Sequence, residues 1–341
     1  MTLLVARAAA AADVHAADLS AYSALVRLYR SGHGQDATTQ LAAWSHGDVA
    51  SAVKAATTAL TPAERMVAAV LHADTANVIV DERPSDAVFL IDTGQTLVKA
   101  AGPTPFGAER SDVTPRRWYY VVANILISAA RIDGPQGAVR IVHDGRLAFP
   151  RDADLIFMGG ALIEMRIQTR WSFTGLRNEL PDSSLEQRAF DRMAKGAIDT
   201  YLGALTINPH LAVAQLHIGW LRLFLDDRRR ARPALEAALD GADSDTVRYL
   251  AHLFLGGLDE REKRFDDARR EYEAAFEIGA GYQAACVALS RAEEQAGHSS
   301  RAREISRQCM ELSAHDDPWW DYRIKFDRDA LYRLRAEARQ Q

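Results

Sequence analysis

Only two cysteines, Cys286 and Cys309, occur among 341 residues, and their spacing matches neither a CxxC metal knuckle nor a redox motif. A disulfide scaffold is therefore not expected. Both thiols fall where the local pattern calls for modest apolar side chains, so they read as buried and inert. Strand signals are equally scarce: apolar residues recur at three and four positions rather than at alternate ones, which predicts an all-α protein. No run of about 18 apolar residues is present, which excludes a membrane-spanning helix. There is no cationic excess either, with 41 Lys and Arg against 46 Asp and Glu. The net charge of −5 leaves no overall basic field for nucleic acid phosphates. The one basic run, Arg228 to Arg232, follows Asp226 and Asp227 at an expected helix–helix corner and reads as a solvated turn.

Catalytic signatures are missing as well. The histidines are scattered without HExxH spacing, and no GxSxG elbow, Walker glycine loop or dinucleotide fingerprint occurs. Gly159-Gly160 lies within a helical pattern with no preceding strand. His72, Asp74 and Asn77 form the most polar cluster on the apolar stretch Met66 to Val80. Metal or acid–base work would want partners three or four positions from His72, where Thr75 and Ala76 stand instead, so His72 reads as structural. Catalytic, cofactor-binding and metal residues are accordingly expected to be none, and the chain is read as not an enzyme.

What is present is ample core material, 48% hydrophobic and 26% charged residues. Helices are expected from Asp18 to Arg30, Asp36 to Trp44, Asp48 to Leu60, Pro62 to Val80 behind a Thr61 cap, and Ser85 to Ala100. The Ala-rich opening contains Val14-His15-Ala16, which has the form of a signal-peptidase site. No Lys or Arg precedes the apolar stretch, though, and Arg7 interrupts it. Two readings stand, a frayed helix start or the remnant of a signal peptide, and with them a cytoplasmic or an exported, periplasmic setting. A loop rich in Gly and Pro, Gly102 to Pro115, marks an internal boundary. The expected parts are 1–110, a helical region with degenerate repeat character; 111–315, helical repeats with an insert near 169–184; and 316–341, a capping helix and tail. That last segment carries Trp319 and Trp320, which read as core packing.

The strongest pattern is Ala-x3-large-x2-small. It appears as Ala197-Tyr201-Ala204, Ala231-Leu235-Ala238, Ala268-Tyr272-Ala275 and, degraded, Ala302-Ser306-Cys309. Ala231, Ala268 and Ala302 stand 37 and 34 residues apart, the period of a two-helix repeat. A first-helix signature precedes three of these: Gln215-x2-Ile218-Gly219, His252-x2-Leu255-Gly256 and Cys286-x2-Leu289-Ser290. Small residues are needed where two helix axes approach closely. With closing prolines at Pro150 and Pro209, the chain resembles the tetratricopeptide repeat (TPR) family, clearly over about Arg117 to Leu312 and faintly before that. The resemblance implies a right-handed superhelical solenoid of antiparallel helix pairs with a terminal capping helix, and a non-enzymatic scaffold or adaptor that binds a protein or peptide segment on its concave face.

One subtype of the family clamps a carboxylate with Lys, Arg and Asn. The corresponding face here is Val213, Leu216, Trp220, Leu223, Leu250 and Leu253, an apolar groove that turns polar at Glu260, Arg291 and Glu294. Trp220 would anchor a partner, and Trp220→Asp would abolish capture without unfolding, unless the chain itself fills the groove. Two other readings remain open: the N-terminal third as an effector or catalytic module positioned by the repeats, and a structural homo-oligomer.

Overall fold

The computed structural model describes residues 19–80, 82–102, 115–133, 136–174, 185–312 and 317–318. The signal-like opening, the 103–114 part of the boundary loop, the 175–184 part of the insert and the helix expected after Trp319 lie outside the described residues. Among the described residues there are only helices and turns, so the all-α expectation is met. The chain divides into two compact units at Pro150.

The first unit, 1–150, contains α1 (residues 19–30), α2 (Gly34–Ala42), α3 (His46–Ala59), α4 (Pro62–Ile79), α5 (Pro84–Ala101), α6 (Pro115–Asp133) and α7 (Gln136–Ala148). Its centre is α4. Thr61 and Glu64 start this helix with a reciprocal capping box, the Thr61 N–H donating to Glu64 at 2.9 Å and the Glu64 N–H to the Thr61 hydroxyl at 3.3 Å. The Thr61 N–H holds the Glu64 carboxyl below its usual range. From Met66 to Ala73 every side chain of α4 is buried, which requires neighbours on all sides. Helix α5 supplies one as an antiparallel partner, and α2 and α6 pack alongside. Trp118 of α6 is 1% exposed, and its indole comes so near Gly94 of α5 that a Cβ there would lie 3.2 Å away. That packing draws α6 and its partner α7 into the first unit.

Among its described residues the second unit, 151–341, forms four antiparallel pairs: α8 (Ala153–Thr174) with α9 (Leu185–Ile207), α10 (Ala212–Phe224) with α11 (Arg228–Asp240), α12 (Asp245–Arg261) with α13 (Phe265–Ile278), and α14 (Gln283–Gln295) with α15 (Ser299–Glu311). Each second helix also packs on the first helix of the next pair. Helix α8 runs on to Thr174, so the expected insert begins as helix.

Three pairs are closed by one device. A Cβ on Gly160 would lie 2.4 Å from the Tyr201 ring, one on Gly219 2.5 Å from Leu235, and one on Gly256 2.5 Å from the Tyr272 ring. Glycine is what allows these large side chains to lie flat against the facing helix. Where the large residue is tyrosine, a glutamate one turn beyond the glycine receives its hydroxyl: Tyr201 donates to Glu164 at 2.8 Å and Tyr272 to Glu260 at 3.0 Å. Where it is Leu235, the equivalent position is Leu223, so donor and acceptor vanish together.

The fourth pair departs from this device and corrects the cysteine expectation. Ser290 and Ser306 replace glycine and the large residue and meet through a 2.6 Å hydroxyl hydrogen bond. Cys286 and Cys309 form a disulfide across α14 and α15, with Cα atoms 5.6 Å apart. Helix α15 buries little else, only Ala302 and Ile305 beside Cys309. A covalent staple stands where apolar volume is thin. Periodicity placed both cysteines on facing stripes but gave no sign that two such stripes were in register.

Asp317 also holds this pair from outside it. Its carboxylate accepts the Ala284 N–H at the start of α14 at 2.7 Å and the Tyr249 hydroxyl at 3.0 Å. Burial, reinforced by the Asp317 charge, pushes the Tyr249 phenol well above its usual pKa.

Candidate functional site

The expected groove residues lie mostly in the interior. Leu216 is 0%, Leu250 1%, Trp220 5%, Leu253 6% and Leu223 7% exposed, while Val213 is half-buried. Helices α10 and α12 are adjacent, and Trp220 packs against Phe254 at 6.1 Å and edge-on to Phe224 at 5.8 Å. Its indole N–H is buried without a hydrogen bond. The polar continuation is built differently. Glu260 receives both Tyr272 and the guanidinium of Arg291, and Glu294 is exposed.

The basic run Arg228 to Arg232 forms the first turn of α11, and its last member is not simply solvated. Arg232 and Arg264 converge on Asp259, which is 2% exposed, with the Arg264 Nε at 3.0 Å. Two guanidiniums on one buried carboxylate tie α11 to the α12–α13 pair.

His72 is fully buried. Its Nδ1 lies 2.9 Å from the Thr93 hydroxyl, whose own proton is directed at the Phe89 and Leu90 carbonyls, and its Nε2 lies 2.8 Å from the Tyr22 hydroxyl. This assigns a neutral ring that donates from Nδ1 and accepts at Nε2. Burial lowers its pKa to about 4. Such a ring binds α1 to α4 and α5 and is a structural histidine, as its sequence context indicates.

Asp74 and Asn77, its neighbours in sequence, face outward into a cleft. Asp74 receives the Tyr29 hydroxyl from α1 at 2.5 Å, and Arg117 of α6 meets both its oxygens at 3.0 and 3.2 Å. Around this pair run two adjoining lobes of about 370 and 420 Å³ that share Asp74, Asn77 and Arg117. The first reaches Gln35 and Thr38 of α2, and the second reaches Arg116, Tyr120 and Asn124 of α6. The sequence flags Asp74 and Asn77 as polar exceptions on an apolar helix. It offers no link to Tyr29 or Arg117, which stand 45 and 43 residues from Asp74.

Helix pairs closed by a large side chain lying over a small residue, stacked so that each pair packs on the next, define the architecture. The fold is a tetratricopeptide-like helical repeat. No protein-family model and no curated protein matches the chain. Solved structures similar to it include the MamA protein (19% identity, 57% of this chain and 91% of that one, TM-score 0.41). Another is a TPR protein of Thermus thermophilus (16% identity, 69% and 98%, TM-score 0.38). A human IFIT1 dimer with m7Gppp-AAAA is a third (14% identity, 78% and 58%, TM-score 0.45).

Among the described residues no three His, Cys, Asp or Glu side chains are grouped to hold a metal ion. No described helix is long and apolar enough to cross a membrane.

Proposed function

We propose that the chain is a non-enzymatic scaffold or adaptor that binds a protein or peptide segment on the inner, concave face of its helix-pair stacks. The observation that carries this is the packing itself. In the first unit α2, α4 and α6 lie side by side and present one shared surface, while α3 and α5 pack behind them. In the second unit α10 and α12 adjoin in the same way. A stack of this kind satisfies its apolar faces internally and leaves a long polar surface for a partner. Under this proposal Leu216, Trp220, Leu223, Leu250 and Leu253 form the apolar floor that holds α10 against α12. Val213, Glu260, Arg291 and Glu294 form the surface above it.

The Cys286–Cys309 disulfide supports an exported or periplasmic setting over a cytoplasmic one, because such bonds persist where thiols are not continually reduced.

Chemical cross-linking of the full chain in native extract, read by mass spectrometry, tests the scaffold reading. The expected result is enriched proteins linked to inner-helix residues. Links confined to α3, α5, α11 and α13, or no protein enriched over an unrelated helical control, overturn it.

A further inference from the structure

Three observations meet at the Asp74–Arg117 cleft. First, three carboxamides line it, one from each of three helices: Gln35 on α2, Asn77 on α4 and Asn124 on α6. All three are exposed, and none engages a partner among the described residues. A carboxamide offers a donor and an acceptor side by side, which is the pattern a peptide bond presents. Second, among the described residues the charges lining the two lobes are Asp74, Arg116 and Arg117, two cations against one anion in a chain of net charge −5. Arg117 is held in place from below by Asp74, itself held by Tyr29, yet its side chain is 40% exposed. Third, two exposed large apolar residues line the cleft, Val78 at 62% and Tyr120 at 37%.

We propose that this cleft, with Gln35, Asn77 and Asn124 around the Asp74–Arg117 pair, binds an extended acidic peptide segment. The carboxamides bond the peptide main chain, the exposed edge of Arg117 and its neighbour Arg116 meet a carboxylate side chain, and Val78 and Tyr120 pack on the residues between. Helix axes 8–10 Å apart place the outer two of three helices about 20 Å from one another, the span of roughly six extended residues. Each main-chain bond adds little by itself, and the pre-positioned arginine sets the preference for acid. This rests on the scaffold proposal and names its partner chemistry and its location in the first unit.

The test is selection of a displayed random library of 12-residue peptides on the full chain, followed by fluorescence anisotropy of the enriched peptides. Acidic sequences should dominate. The double variant Asn77→Ala, Asn124→Ala, with its helical spectrum intact, should weaken them by about tenfold or more, and Arg117→Gln should weaken them further while abolishing the preference for acid. Both asparagines are exposed on helices, so alanine threatens neither packing nor helix formation. Enriched peptides that are basic or apolar, or acidic peptides indifferent to the double variant, overturn the cleft assignment and leave the scaffold proposal standing. Enrichment of no sequence at all overturns the cleft assignment, and together with a blank cross-linking result it removes the scaffold reading too.

Discussion

Trp220 separates an open groove from a closed core, and substituting it has calculable consequences. Its side chain is 5% exposed, packed between Phe224 and Phe254, and its N–H lacks a partner. Trp220→Phe keeps most of the packing and removes a buried donor that makes no hydrogen bond. The two effects oppose each other, and the net change should stay within about 1 kcal/mol. Trp220→Ala leaves a cavity and should cost about 3–5 kcal/mol. Trp220→Asp adds a carboxylate beside the rings of Phe224 and Phe254, several kcal/mol more. That sum is comparable to the 5–15 kcal/mol that hold a typical domain together. The expected order of urea midpoints, followed by circular dichroism, is therefore wild type close to Phe, then Ala, with Asp not folding the second unit. A Trp220→Asp protein that unfolds at the wild-type midpoint would refute the packing argument and restore Trp220 as an exposed anchor.

The disulfide and the buried histidine yield two further expectations. Cys286→Ser should destabilise the α14–α15 pair by about 3 kcal/mol, the loop-closure value for a bridge across some two dozen residues, and a thiol titration of protein isolated under alkylating conditions should find no free cysteine. Two titrating thiols, or an unchanged melting temperature on reduction, would contradict it. His72 is held neutral, with a folded pKa of about 4 against 6.5 unfolded. The unfolded chain therefore takes up a proton before the folded one does. The stability this residue contributes is complete above pH about 6.5 and is lost as pH falls towards 4, about 3 kcal/mol in all. Urea midpoints measured across that window should fall on acidification, and His72→Gln should flatten this part of the profile.

The repeat architecture was legible in the sequence because it depends on local and regular constraints. An alanine or glycine every helix pair, with a large residue four positions after each alanine, fulfils a steric requirement that recurs at each crossing. Gly219 with Leu235 and Gly256 with Tyr272 are the same requirement met twice. His72 could likewise be judged from its neighbours along one helix. What the sequence left open depends on register between segments distant in the chain. The Cys286–Cys309 bond needs two particular turns of α14 and α15 to face each other, and spacing alone does not state this. Arg232 reads as a solvated charge until α11 lies beside the carboxylate of Asp259. The apolar stripe at Trp220 and Leu250 has one period whether a partner or a neighbouring helix covers it, and only the packing of α10 on α12 chose the helix. The cleft is the fullest case. Asp74 and Asn77 were visible as polar exceptions, but Tyr29, Gln35, Arg117 and Asn124 become one surface only when α1, α2, α4 and α6 pack together. Periodicity along a helix determines which side chains share a face, and the meeting of faces between helices, set by close packing, decided which of them are core and which stay exposed.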